Sequence, residues 1–155
     1  MNWTINGLPL HPLLVHATVV VVPLAVLFAI LGALWPTARR KLGIVTPLAA
    51  SVAGVLVALT ILAGRWLKEH IVTTDLAQTH EKMGMKIVPW IILLVVATWL
   101  QWAWHSFGKK RYARGQKVVP IALAALVLVG ALGTGVAVFL IAEAGARAVW
   151  TPLVV

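Results

Sequence analysis

The chain has 155 residues, of which 61% are hydrophobic and 11% charged, a balance outside the range of soluble globular domains. Its net charge of +9 would suit a nucleic-acid partner, but eight of the thirteen Lys and Arg fall in two short acid-free connections, 36–43 and 108–117; this is the charge asymmetry of a membrane protein, so no nucleic acid is expected. Cysteine is absent, which excludes disulfides, thiolate-held iron–sulfur clusters, covalent c-type haem and a lipoprotein anchor, and leaves His, Met or carboxylates to hold any cofactor.

Crossing about 30 Å of hydrocarbon takes roughly 20 apolar residues in a helix. Four segments meet that length, at about 13–35, 44–67, 86–107 and 118–142. The expected fold is therefore all-α, an integral membrane four-helix bundle forming one domain over 1–155. The basic connections, containing Arg39, Arg40, Lys41, Lys109, Lys110, Arg111, Arg114 and Lys117, are expected inside against anionic lipid heads, with both termini outside. A bacterial cytoplasmic (inner) membrane is the expected location, multi-pass. The N-terminus has no basic residue before its first apolar run and no small-residue cleavage pattern, so the first span is expected to be retained.

In chain order, the stretch from Asn2 to His11 is polar and turn-rich, and Pro12 opens a helix with His11 as its N-cap. Ala17, Val21, Ala25, Ala29 and Ala33 form a small-residue ridge on this first span, and Trp35 with Pro36 closes it. Span two repeats the pattern with Ala50, Gly54 and Ala58. The long middle connection holds Thr74 and Asp75, a capped helix start that places His80, Glu81, Met83 and Gly84 on a helix. Span four carries Gly130, Gly133 and Gly135, which is a packing surface rather than a phosphate loop. Each half reads as outer His, Pro, apolar run, Trp, basic loop and a small-residue span, which is either a faint parallel repeat of two helical hairpins or a chance likeness between them.

All four acids and four of the five histidines lie on the side opposite the basic loops. Ionisable groups near membrane depth are costly unless paired, solvated or ligated. The leading reading is a b-type haem near the outer face, serving electron transfer, with His16 and His80 as axial ligands and Gly84 relieving crowding against the macrocycle. A divalent metal, zinc, nickel or copper, is the second choice, with His16, His80, Glu143, His11 and His70 as the candidate ligands. Proton handling is a third, and interface histidines with no cofactor at all remain beside them. Independent catalysis is not expected: Ser51 and Ser106 are the only serines, and no span holds paired carboxylates. Thr60, Thr98, Gln101 and Thr134 are read as interhelical hydrogen bonds. A path for a small neutral solute needs no charged residue and stays open. The alternative to the cofactor reading is an accessory subunit that packs into a larger membrane complex or homo-oligomer through its small-residue ridges.

Three stretches resemble a widespread family of bacterial four-span proteins, domain of unknown function twenty-two thirty-one. They are NGLPLHPLLVHATVVVVPLA at 6–25, THEKMGMKIVPW at 79–90 and AEAGARAVW at 142–150. The resemblance implies a four-helix membrane fold and brings no activity. His11 and His16 match its first motif and His80 its second. Family members often carry a further His before the C-terminal Gly-Ala step, where this chain has Glu143 and Ala144.

Overall fold

The computed structural model describes residues 3–70, 74–108 and 118–151. The chain opens on a two-stranded antiparallel hairpin, β1 (Thr4–Ile5) and β2 (Leu8–Pro9). Asn6 and Gly7 turn it with φ of 50° and 78°. That left-handed pair is what a two-residue turn of right-handed twist requires, and Asn-Gly supplies it at low cost. Leu10 N–H closes the hairpin onto Trp3 O at 2.9 Å.

Six helices follow: α1 (Leu10–Leu34), α2 (Pro36–Leu42), α3 (Val45–His70), α4 (Asp75–Gly84), α5 (Val88–Phe107) and α6 (Val118–Trp150). A short 3-10 turn, Met85–Ile87, joins α4 to α5. Four helical runs are long and apolar enough to cross a membrane: α1, α3, the α4–α5 run and α6. Each of α1, α3, α5 and α6 carries a proline in its first turn, Pro12, Pro47, Pro89 and Pro120. There the missing N–H has no intrahelical partner to lose. Thr74 caps α4 as expected, its hydroxyl accepting from Ala77 N–H at 3.2 Å.

Helix α1 packs on α3 and α6, and α5 packs on α6 and α3, so the four long helices close a ring in which sequence neighbours are space neighbours. Between them the core is small: Val22, Ala25, Ala29 and Ala33 from α1, Ala50, Ala53 and Val57 from α3, Ile91, Leu94 and Ala97 from α5, Val127, Ala131 and Ala137 from α6. Small side chains let the helix axes approach, which is how bundles gain van der Waals contact where lipid offers no hydrophobic drive. The contact of α5 with α6 is tight. A Cβ on Gly130 would sit 2.9 Å from Leu94 N, and one on Gly133 would enter the Trp90 ring.

Several expectations are corrected. Helix α1 starts two residues before Pro12, so His11 is inside the helix and not its cap. On α3 the buried face is Ala50, Ala53 and Val57, while Ala58 is exposed. The first basic connection is mostly the short helix α2, begun by Pro36; residues 109–117 of the second lie outside the described residues. Helix α6 does not stop near 142 but runs 33 residues to Trp150. At 1.5 Å per residue that is about 50 Å, well beyond a bilayer core of about 30 Å. Helix α4 packs against α6.

The polar core residues differ in their bonding. Thr60 hydroxyl donates to Leu56 O at 2.7 Å, and Thr18 hydroxyl bonds Thr60 Oγ1 at 2.9 Å, linking α1 to α3. Trp99 Nε1–H donates to Ser51 Oγ at 3.0 Å, linking α5 to α3. Thr98 bonds only within its own helix. Gln101 Nε2 and Thr134 Oγ1 are the buried side-chain atoms without a partner among the described residues.

Candidate functional site

At the acidic, histidine-bearing end of the bundle, four helices bring two imidazoles together. His11 projects from the first turn of α1 and His80 from the middle of α4. Their ring centres are 6.2 Å apart and their planes cross at 73°. Both are half-buried.

Each ring is fixed by its Nδ1. His11 Nδ1–H donates to Thr60 O on α3 at 2.9 Å, and His80 Nδ1–H donates to Ile141 O on α6 at 3.1 Å. A carbonyl can only accept, so each ring in its neutral form is held in the tautomer whose lone pair is on Nε2. These carbonyls are accessible for a reason. Thr60 O is reached from α1 one turn before Gly64, and Ile141 O from α4 one turn before Gly145; a Cβ on either glycine would lie 3.0 Å from the imidazole Cε1 facing it. The glycines therefore act as sockets in which the two rings lie.

Helix α4 stands outside the apolar stretch that begins near Lys86. There burial holds the His80 imidazole below the ordinary histidine range, the neighbouring His11 adds to the effect, and the bond to Ile141 O opposes it. Burial thus favours the neutral ring, the form in which Nε2 can bind a metal.

The other candidates do not join this pair. His16 is exposed, and its Nδ1–H donates to Pro12 O at 2.7 Å on its own helix. His70 stacks on Trp66 at 4.1 Å and donates to Trp66 O. Glu143 is exposed and pairs with Arg147 one turn on, at 2.7 Å. Glu81 pairs with Lys68 at 2.7 Å, clipping α4 to the end of α3. A Cβ at Gly84 would meet nothing within 4 Å. Among the described residues, no group of three or more His, Asp or Glu is placed to hold a metal ion. The arrangement that sequence reasoning missed is the partnership of His11, not His16, with His80. The signal available was phase: His11 and the buried Thr18 are seven residues apart, two helical turns on one face.

The Lys68–Glu81 pair is exposed on both sides, and such pairs contribute about 0–1 kcal/mol. Glu81→Gln is accordingly expected to leave thermal unfolding in detergent almost unchanged, with a drop in midpoint of many degrees contradicting this placement of α4.

Fold and site together define a small polytopic α-helical membrane protein with a pair of imidazoles at one end. The family model described as "Predicted membrane protein (DUF2231)" matches residues 7–154, so the chain belongs to that family. No curated protein and no solved structure matches it.

Proposed function

We propose that His11 and His80 would hold a b-type haem at the outer end of the bundle, and that the protein is an electron carrier of the bacterial cytoplasmic membrane. The observation that carries this reading is the pair itself: two imidazoles with ring centres 6.2 Å apart, each tied by Nδ1 to a backbone carbonyl. With metal–nitrogen bonds of about 2 Å, imidazoles on opposite sides of one metal have ring centres roughly 6 Å apart. The carbonyl behind each ring is the outer partner that ligating histidines commonly use to set tautomer and orientation.

The donor set also favours a macrocycle over a bare ion. Zinc and similar ions take three or four protein ligands, whereas here two imidazoles have no carboxylate or third histidine beside them among the described residues. Two protein ligands suffice where the bound group brings its own equatorial nitrogens. Such a group, when bound, supplies reversible one-electron chemistry. The chain's own part is to hold two rings from different helices at fixed spacing, which constrains the motion of α4 against α1.

The orientation that belongs to this reading follows from the basic connections and puts both termini, and the histidine pair, on the outer side. A reporter active only in the periplasm, fused after Val155, is expected to be active. Activity confined to a cytoplasmic reporter at that position would invert the placement.

The reading is tested by purifying the chain from its native membrane in mild detergent and measuring haem per polypeptide with reduced and oxidised absorption spectra. Close to one haem per chain, with bands that shift on reduction, is the expected result. A colourless protein that co-purifies with larger subunits would replace this reading with that of an accessory subunit.

A further inference from the structure

At the opposite end of the bundle, the ends of α1, α3 and α5 enclose a cavity of about 300 Å³. Its walls include Gly32, Arg39, Thr46, Gln101, Trp102 and His105. Arg39, on α2, reaches back to the end of α1: Nε–H donates to Gly32 O at 2.6 Å, an Nη2–H to Ala33 O at 2.9 Å and an Nη1–H to His105 Nε2 at 2.7 Å. His105 accepts there because its Nδ1–H is committed to Gln101 O at 2.8 Å. The bland reading of Arg39 is a cation capping the C-terminal carbonyls of α1, and that accounts for its position.

Two further facts are left unexplained by capping. The first is charge. All three acceptors are uncharged, and the acids Glu69, Asp75, Glu81 and Glu143 lie on helices at the other end of the bundle, so among the described residues no carboxylate pairs with Arg39. Arg39 is partly buried and burial lowers its pKa, so an anion beside it would favour the charged form. The second is Gln101. The residue is 3% exposed and lines the cavity, yet its Nε2 donates to nothing among the described residues. A buried donor without an acceptor costs about 1–3 kcal/mol, a cost relieved if something entering the cavity brings an acceptor.

We infer that this cavity is a binding site for an oxyanion of the phosphate class, with Arg39 supplying the charge and the Gln101 amide the buried hydrogen bond. The cavity lies between helix ends at the membrane boundary, so the phosphate can be that of a lipid headgroup or a small soluble one. The basic residues of 36–43 and 108–117 raise the local concentration of either. The site is separate from the histidine pair and does not depend on it.

The test uses delipidated full-length protein in neutral detergent and two probes, phosphatidylglycerol followed by native mass spectrometry and inorganic phosphate followed by thermal shift. Phosphatidylcholine serves as the neutral comparison. Gln101→Leu removes the donor at similar volume, and Gln101→Glu places a carboxylate in the same cavity as Arg39. Both are expected to weaken binding at least roughly tenfold, as loss of a hydrogen bond to a charged partner does, with Gln101→Glu losing it altogether. Lys41→Gln, which changes the charge of the same connection, is expected to change affinity by less than about threefold if screening by solvent dominates at the surface. Binding of phosphatidylglycerol that inorganic phosphate does not displace, and that both Gln101 variants lose, supports the site with a lipid as source. A phosphate-induced thermal shift lost in the same variants supports it with a soluble anion. Absence of binding by both probes, or binding that both Gln101 variants retain while Lys41→Gln loses it, overturns the proposal. If Gln101→Leu fails to fold, Gln101→Glu decides by the same readouts, since it keeps the volume and hydrogen-bonding shape of the side chain and its carboxylate can pair with Arg39.

Discussion

His11→Ala and His80→Ala are each expected to abolish bound haem, while His16→Ala and His105→Ala leave it in place. The effect is large because, among the described residues, these are the two imidazoles brought close together at this end, with ring centres 6.2 Å apart. Their supports are backbone carbonyls that no side-chain change removes. Loss of one ring leaves the carbonyl of Thr60 or Ile141 with its intrahelical donor, so the fold is expected to survive. Haem content after purification, with circular dichroism as the check on folding, reads the result. Free imidazole added to His80→Gly is expected to restore part of the spectrum, because the cavity then accepts the missing ring as a solute. Haem retained at full occupancy in both alanine variants, or lost only in His16→Ala, would contradict the assignment.

The second large effect concerns the contact of α5 with α6. A Cβ at Gly130 would stand 2.9 Å from Leu94 N and 3.0 Å from Leu94 Cα. Those are backbone atoms of a helix and cannot rotate aside, so the two helices must separate. Overpacking of a tight core costs typically about 1–3 kcal/mol, and Gly130→Val, which adds a branched side chain, is expected to lie at or above the top of that range. The measurement is the midpoint of thermal unfolding in detergent, with a fall of several degrees for Gly130→Ala and loss of the folded monomer for Gly130→Val. Gly84→Ala provides the contrast, since nothing lies within 4 Å of the added methyl and alanine is the better helix former by about 1 kcal/mol. An unchanged midpoint in Gly130→Val would mean that α5 and α6 do not meet here.

Much of the fold was legible because the membrane imposes a length and a composition on each span. The four apolar runs, the Thr74 cap and the glycines of α6 are local features, and the structure bears them out. Boundaries were less legible. Glu143 and Arg147 made the end of α6 look like a polar tail, although an acid and a base four apart are what an exposed helical turn uses. Asn6-Gly7 is the signature of a two-residue hairpin turn, a period-two feature that the helical periodicity of the spans does not reveal.

The site was legible in residue type but not in pairing. His11 and His16 differ by five residues, which on a helix turns one well away from the other. Taking Pro12 as the start of the helix put His11 outside it and handed its place to His16. The starting point at Leu10, set by the hairpin, reverses that choice. The cavity at Arg39 could not be read at all, because it arises where three helix ends meet and none of its residues is unusual alone.

The central claim is that two imidazoles, from His11 and His80, share one iron. Electron paramagnetic resonance of the oxidised protein, purified from its native membrane, tests it most directly. Two axial nitrogens give low-spin ferric iron, and ring planes as far from parallel as 73° give a strongly anisotropic signal, which is the result predicted for the native chain. A high-spin signal, meaning one imidazole or none on the iron, or no haem signal at all, would contradict it.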